Sequence, residues 1–316
     1  MGLGPVAYVD YARSRCSLCS VSGSTNTMSF FEFDVHNIVY DLIFRGYPTE
    51  DRTGVGTRST FGSQLRIDLT EGFPAVTCKQ LMFNAVKSEL LWFLEGSTDE
   101  RRLAEIHYGK SREELIGKKT IWTANADNQG VAKGHHNSLV YKQLGPVYGA
   151  QWRGTYDVRA PDQIKNVIKG IKEDPYSRRH IIDAWSPSLI NKMALPPCHP
   201  WVQFYVRGGE LSCMFYMRSQ DIFLGGPFNW ASYALLTHMI AQVCGLTAKE
   251  IVVNYGDCHI YENHIEQAEL MISREPLPLP KLWLNPEITD IFDFKMEDIK
   301  LENYQHHPAI PAPMAV

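Results

Sequence analysis

Long hydrophobic runs are missing from this chain. No apolar stretch reaches the about 18 to 20 residues that a membrane-spanning helix needs, and the N-terminus lacks the charged-then-apolar order of a secretory signal. A soluble, cytoplasmic protein without a membrane partner is expected. An excess of positive charge is missing too: 31 Lys and Arg stand against 35 Asp and Glu, a formal net charge of -4. That excludes the basic field needed for non-specific DNA binding, so any phosphate must meet a local arginine cluster. Cysteine is sparse and odd in number, seven in 316 residues. Five of them, Cys78, Cys198, Cys213, Cys244 and Cys258, are scattered through apolar segments rather than spaced as a disulfide framework, which fits a reducing compartment. The composition of a disordered chain is absent as well. With 44% hydrophobic, 21% charged and 11% aromatic residues, the chain can bury a sizeable core.

Metal-ligand spacing is not found. Cys16 and Cys19 form a lone CxxC with no second pair, and His135-His136 has no third ligand nearby, so free thiols and a solvated loop are the plainer readings and no metal is expected. Residues 1–27, rich in Ser, Gly and Thr, read as a disordered extension or a mis-called start before Met28. Residues 28–316 read as a single catalytic domain carrying a polar surface insertion at about 96–143.

Within that domain, residues 36–46 and 83–95 have helical patterning, 59–69 alternates as a strand, and 162–173 places Ile164, Val167, Ile168 and Ile171 on one helical face. A strand is expected over 180–185. Two β-rich runs, 201–206 and 211–217, are joined through Gly208-Gly209, the signature of a hairpin with a two-residue turn. Paired numbers would then sum to 417, with His199 facing Arg218 and Cys198 facing Ser219, unless a bulge shifts the pairing by one. A helix is expected from about Trp230 to Val243 with Asn229 as its N-cap.

The chemistry-bearing residues gather around this hairpin. Cys198 follows Pro196-Pro197 at the mouth of a strand, a position that presents a thiol, and the hairpin brings Arg218 beside it. A neighbouring guanidinium favours the thiolate, the nucleophilic form; taken singly, a cysteine is more often a small buried hydrophobe. Arg52, Arg178, Arg179 and Arg218 sit at structured boundaries, and arginine forks match phosphate oxygens. Glu89 is one carboxyl in an otherwise apolar helical stretch, either a proton-transfer group with a raised pKa or a buried structural hydrogen-bonder.

These stretches, together with Asp51-Arg-Thr-Gly-Val-Gly-Thr57, Leu144-Gly-Pro-Val-Tyr148, Asp174-Pro-Tyr-Ser-Arg-Arg179, Arg218-Ser-Gln-Asp-Ile-Phe-Leu-Gly225, Pro227-Phe-Asn229 and Gly256-Asp-Cys-His-Ile-Tyr261, resemble the thymidylate synthase family from about Met28 to Val316. The resemblance implies an α/β (α+β) fold, a large twisted mixed β-sheet covered by helices, in a sheet-packed homodimer. It implies dUMP and a reduced folate, 5,10-methylenetetrahydrofolate, as partners, with no metal. Cys198 would attack C6 of the uracil ring. Arg52, Arg218 and Ser219 would bind the nucleotide, its phosphate also gripped by Arg178 and Arg179 from the other subunit. Asn229 would read the uracil edge, and His259 and Tyr261 would hold the 3'-hydroxyl. Tyr148 would help remove the C5 proton and Glu89 would relay protons through water. Asp221 would bind the pterin, with Lys79, Trp122, Asn125, Gly225, Gly226 and the C-terminal Val316 completing the folate side.

Three positions depart from the family's usual pattern: Met217 for Gln, Gly226 for a larger aliphatic residue, and Thr123 for Asp. Space at Gly226 would admit water and turn methyl transfer into hydroxymethyl transfer, unless Trp230 refills it. The expected activity is methyl transfer giving dTMP; dUMP hydroxymethylation is the alternative, and a non-catalytic nucleotide or RNA binder is a third reading that the intact nucleophile argues against.

Overall fold

The computed structural model describes residues 30–51, 53–157 and 159–314. Its centre is a six-stranded mixed sheet, ordered β1-β2-β6-β5-β4-β3, built from β1 (Tyr47–Thr49), β2 (Thr57–Asp68), β3 (Ile181–Asp183), β4 (Trp201–Arg207), β5 (Glu210–Asp221) and β6 (Thr247–Tyr261). Only the β5–β6 pair is parallel. A parallel pair needs a long crossover, supplied here by α6 (Gly225–Cys244). The other helices labelled are α1 (Phe30–Arg45), α2 (Phe83–Glu95), α3 (Glu100–Tyr108), α4 (Tyr148–Arg153), α5 (Gln163–Glu173) and α7 (Ile265–Ser273). A separate hairpin pairs β7 (Lys281–Leu284) with β8 (Ile299–Glu302).

The β4–β5 hairpin has the expected register, Trp201 opposite Tyr216 through Arg207 opposite Glu210. Gly208 and Gly209 both have positive φ, 60° and 82°, as a type I′ turn demands. Alternation along these strands divides the sheet. Leu211, Cys213, Phe215 and Met217 are buried under the helices with Val202, Phe204 and Val206. The other face carries Tyr205 and Tyr216, 52% and 38% exposed.

Three expectations change in detail. α1 begins at Phe30 rather than at 36, because Phe31 is buried edge-on against Trp230, ring centroids 5.6 Å apart. Asn229 is not an N-cap: α6 starts at Gly225, so Asn229 lies in its second turn. Asp221 Oδ1 accepts from the N–H groups of Phe223 and Leu224 at 2.9 and 3.0 Å just ahead of the helix, and Pro227 falls in the first turn, where no N–H is missed. Beyond Trp201 the hairpin register also slips. Arg218 N–H donates to Cys198 O at 2.8 Å, one residue out of step with the pairing that sets His199 opposite Arg218. The slip falls beside Pro200, which has no N–H to give.

The stretch 96–143 has two characters. Residues 132–136 are largely exposed, while Leu103, Ala104, Leu115, Trp122 and Ala126 are buried and α3 packs on α2. The reading of residues 1–27, including Cys16 and Cys19, lies outside the described residues.

Candidate active site

The hairpin and its register slip bring Cys198 and Arg218 together. Arg218 Nε donates to Pro197 O at 2.7 Å and Nη2 to Pro196 O at 2.8 Å, which holds Nη2 3.6 Å from Cys198 Sγ. The diproline thus serves twice, as a rigid approach to the strand and as a carbonyl cradle for the guanidinium. Cys198 itself is only partly buried.

Behind the thiol lies an aromatic stack. The buried Tyr148, at the start of α4, accepts the Cys198 N–H on its hydroxyl oxygen at 2.6 Å. Its ring stacks on His199 at 4.2 Å and on Phe93 at 5.0 Å. Burial, with Cys198 next in order, pushes the Tyr148 hydroxyl well above the ordinary phenol range, so it remains protonated. Burial and the Arg218 charge push His199 down to about 3, a neutral ring whose Nδ1 meets Tyr233 Oη at 2.7 Å.

Glu89 retains some exposed surface, yet its carboxyl is enclosed and takes an N–H from Trp122 Nε1 at 2.7 Å. Burial raises its pKa to about 7 despite that hydrogen bond. A carboxyl balanced near neutral pH can both give and take a proton. The Trp122 indole is held against Trp92 and Tyr148, with centroids at 5.9 and 5.8 Å.

A buried ion pair fixes the approach to Trp122. Glu100 and Arg101, 0% and 1% exposed, join through two 2.6 Å hydrogen bonds. The hydroxyls of Thr120 and Thr123 each donate to Glu100 Oε1 at 2.6 Å, and Arg101 Nη1 donates to the carbonyls of Leu115 and Lys118. Thr123, the residue that departs from the family's Asp, therefore reaches a carboxylate supplied by α3. Sequence reasoning missed this pair because adjacent opposite charges at a helix start ordinarily read as a solvated turn.

Two residues along β5 from Arg218, Gln220 accepts on Oε1 from Asn229 Nδ2 at 3.1 Å. Gln220 is 1% exposed and was also missed, since it falls outside the odd-numbered alternation of buried residues in β5. Ser219 and Asp221 pair with Asp257 and His259 of β6, which places the Tyr261 end of that strand beside the same edge. His259 Nδ1 lies 3.2 Å from Asp257 Oδ1, and its ring meets Tyr261 edge-on at 5.4 Å. Asn125 Nδ2 approaches Gln129 Oε1 at 3.5 Å.

Gly226 has the contact that its departure from the family pattern left open. A Cβ there would lie 2.8 Å from Trp230 Cζ2, so the indole already occupies the space. Trp230 is fully buried and donates Nε1–H to Tyr255 Oη at 2.8 Å.

The Lys79 ammonium is buried: it donates to Phe223 O and lies 3.9 Å from the centre of the Phe223 ring, near Asp221. Burial lowers its pKa to about 8. Arg178 and Arg179 are exposed in the turn before β3, and Arg178 O accepts from Gln203 on the exposed face of the sheet at 3.0 Å. Arg52 and Val316 lie outside the described residues; close to the latter, Pro313 O accepts from buried His264 at 2.6 Å.

The family model of thymidylate synthase matches residues 34–316, which contain this whole constellation. The chain belongs to the thymidylate synthase family. Thymidylate synthases use methylenetetrahydrofolate, and membership supports an enzyme of the dUMP methylation or hydroxymethylation type, a transferase of nucleotide biosynthesis. Among the described residues no helix is long and apolar enough to cross a membrane, and no group of three or more His, Cys, Asp and Glu side chains is arranged to hold a metal ion.

Proposed function

We propose that the chain makes dTMP from dUMP through a covalent bond between Cys198 Sγ and C6 of the uracil ring. The observation that carries the reading is the Arg218 guanidinium 3.6 Å from Cys198 Sγ, where it stabilises negative charge on sulfur before attack. Addition at C6 moves electron density to C5 and O4, giving C5 the nucleophilic character needed to take a one-carbon unit. Asn229 faces the uracil edge, accepting from N3–H and donating to O4. Arg218 and Ser219, with Arg52, bind the nucleotide and grip its phosphate, while His259 and Tyr261 hold the 3'-hydroxyl.

The folate side fits the residues present. Asp221 Oδ1 is committed to two backbone N–H groups, and its Oδ2 has no hydrogen bond among the described residues, leaving an acceptor for a pterin N–H. Bound 5,10-methylenetetrahydrofolate would supply the one-carbon unit and the hydride. Glu89, near pKa 7, moves protons through water, and the protonated Tyr148 holds a water positioned to take the C5 proton. Lys79 supports this side from within, through Phe223 and Asp221, and Gly225, Gly226, Asn125 and the C-terminal residues line it.

Methyl transfer is favoured over hydroxymethyl transfer by Trp230, whose indole fills the space at Gly226 that would otherwise admit a water. The working unit is a homodimer, supported by the exposed tyrosines on one sheet face and by Arg178 and Arg179 standing exposed in the turn before the edge strand β3. The test is to incubate protein, dUMP and methylenetetrahydrofolate, follow dihydrofolate by absorbance and weigh the nucleotide. A methyl product with dihydrofolate is expected. A hydroxymethyl product with tetrahydrofolate would establish the hydroxymethylase reading in its place.

A further inference from the structure

Asn229, Gln220 and Asp221 form a chain of hydrogen bonds whose direction is fixed at one end. Gln220 Nε2 donates to the backbone carbonyl of Asp221 at 2.8 Å. A carbonyl oxygen only accepts, so the nitrogen of the Gln220 amide must face it and Oε1 must face the other way. Oε1 is 3.1 Å from the Asn229 amide. Since that oxygen also only accepts, the Asn229 group turned to it must be Nδ2, leaving one Nδ2 hydrogen and Oδ1 for a ligand. Turning the Asn229 amide over would set Oδ1 against Oε1; turning Gln220 as well would set Oε1 against the Asp221 carbonyl. No arrangement of the two amides relieves the conflict, because the last acceptor is main chain.

The site is built to hold this chain. Gln220 is 1% exposed, so water cannot easily replace a lost partner. Gly225 leaves room for it: a Cβ at that position would stand 2.9 Å from Gln220 Nε2 and 3.8 Å from Asn229 Nδ2.

We infer that Gln220, seated against Gly225, is a specificity-determining residue that locks the Asn229 amide in the orientation complementary to uracil. Uracil offers N3–H as donor and O4 as acceptor, matching Oδ1 and the remaining Nδ2 hydrogen. Cytosine offers the reverse and requires the forbidden orientation. Asn229 reads the base, and Gln220 decides which base it reads. The inference rests on the proposed placement of the pyrimidine at Asn229.

The test has a ligand-free arm and a binding arm. In the ligand-free protein, the Nδ2 hydrogen of Asn229 held by Gln220 Oε1, assigned by its loss in Asn229→Asp, should be shifted from the ordinary side-chain amide position and protected from exchange with solvent. Gln220→Met should return it to the ordinary position and remove the protection. In the binding arm, wild type should prefer dUMP over dCMP, and Gln220→Met should lower the preference about tenfold by permitting the flip. Gly225→Ala, which pushes on the Gln220 amide from the other side, should move the preference in the same direction and serves if Gln220→Met does not fold. An unchanged preference together with unchanged Asn229 resonances in a folded variant would overturn the lock. If wild type binds neither nucleotide, the proposed function has failed, and the Asn229 resonances alone decide whether the lock exists.

Discussion

Replacing Trp122 by phenylalanine should raise the pKa of Glu89. The indole N–H donates to Glu89 Oε1 at 2.7 Å, the hydrogen bond that opposes burial at this carboxyl. Phenylalanine keeps the ring contacts with Trp92 and Tyr148 and removes the donor. A hydrogen bond to a charged group contributes about 1.5–3 kcal/mol, and 1.36 kcal/mol corresponds to one pKa unit. The midpoint should therefore climb from about 7 by about 1 to 2 units. The assay is a 13C NMR titration of labelled glutamate carboxyls in the ligand-free protein, with Glu89→Gln identifying the resonance. Stability supplies an independent sign. The folded-state pKa of Glu89 is raised above its ordinary value of 4.5, so this carboxyl makes the fold lose stability as pH rises from 4.5 to about 7 and adds no further loss above that. In the variant the loss should continue to the new, higher midpoint. A Glu89 midpoint that stays near 7 in a folded Trp122→Phe protein would refute the claim that the indole tunes this carboxyl.

Other perturbations probe different parts of the molecule. Glu100→Leu leaves Arg101 buried and unpaired and should cost about 3–5 kcal/mol in urea unfolding; a loss within experimental scatter would show that the pair does not secure the 115–123 segment. Mixed dimers joining a Cys198→Ala subunit to an Arg178→Ala, Arg179→Ala subunit should recover activity, since one of the two sites is then intact, and verified heterodimers with no recovery would remove the shared-arginine arrangement. Trp230→Ala should cost about 3–5 kcal/mol and, by reopening space beside Gly226, divert part of the product to hydroxymethyl-dUMP; nucleotide mass spectrometry showing only the methyl product would dissociate Trp230 from water exclusion.

The hairpin was legible from local chemistry because a two-residue glycine turn leaves little choice of register. Its continuation was less so. The pairing past Trp201 depends on what a residue without an N–H does to the ladder, and the slip at Pro200 is what sets Arg218 N–H on Cys198 O. α5 was readable because Ile164, Val167 and Ile171 lie on one face and are all buried. α6 was misjudged at its start because Asn229 is a good cap in isolation, while the carboxylate that precedes the helix, Asp221, lies eight residues earlier.

The candidate site divides in the same way. Of the residues proposed to carry the reaction, Cys198 and Glu89 stand out in sequence because their chemistry is scarce at those positions, while Tyr148 is reached only through the family resemblance. Residues that fix the reacting groups do not stand out, because their effect depends on partners brought in by the fold. Gln220 has meaning only with the Asp221 carbonyl on one side and Asn229 on the other. Gly226 shows the consequence most clearly. Read alone, a glycine where the family carries a larger side chain suggests a cavity and a place for water. Beside Trp230 it is the recess that receives an indole edge, with 2.8 Å left for a Cβ, and a side chain lost at one position is replaced by volume from four residues along the same helix. In the proposed reaction, volume at this site belongs to the Gly226–Trp230 pair, so substitution of either residue alone is expected to change access for water, and a compensating change has to be sought at the other.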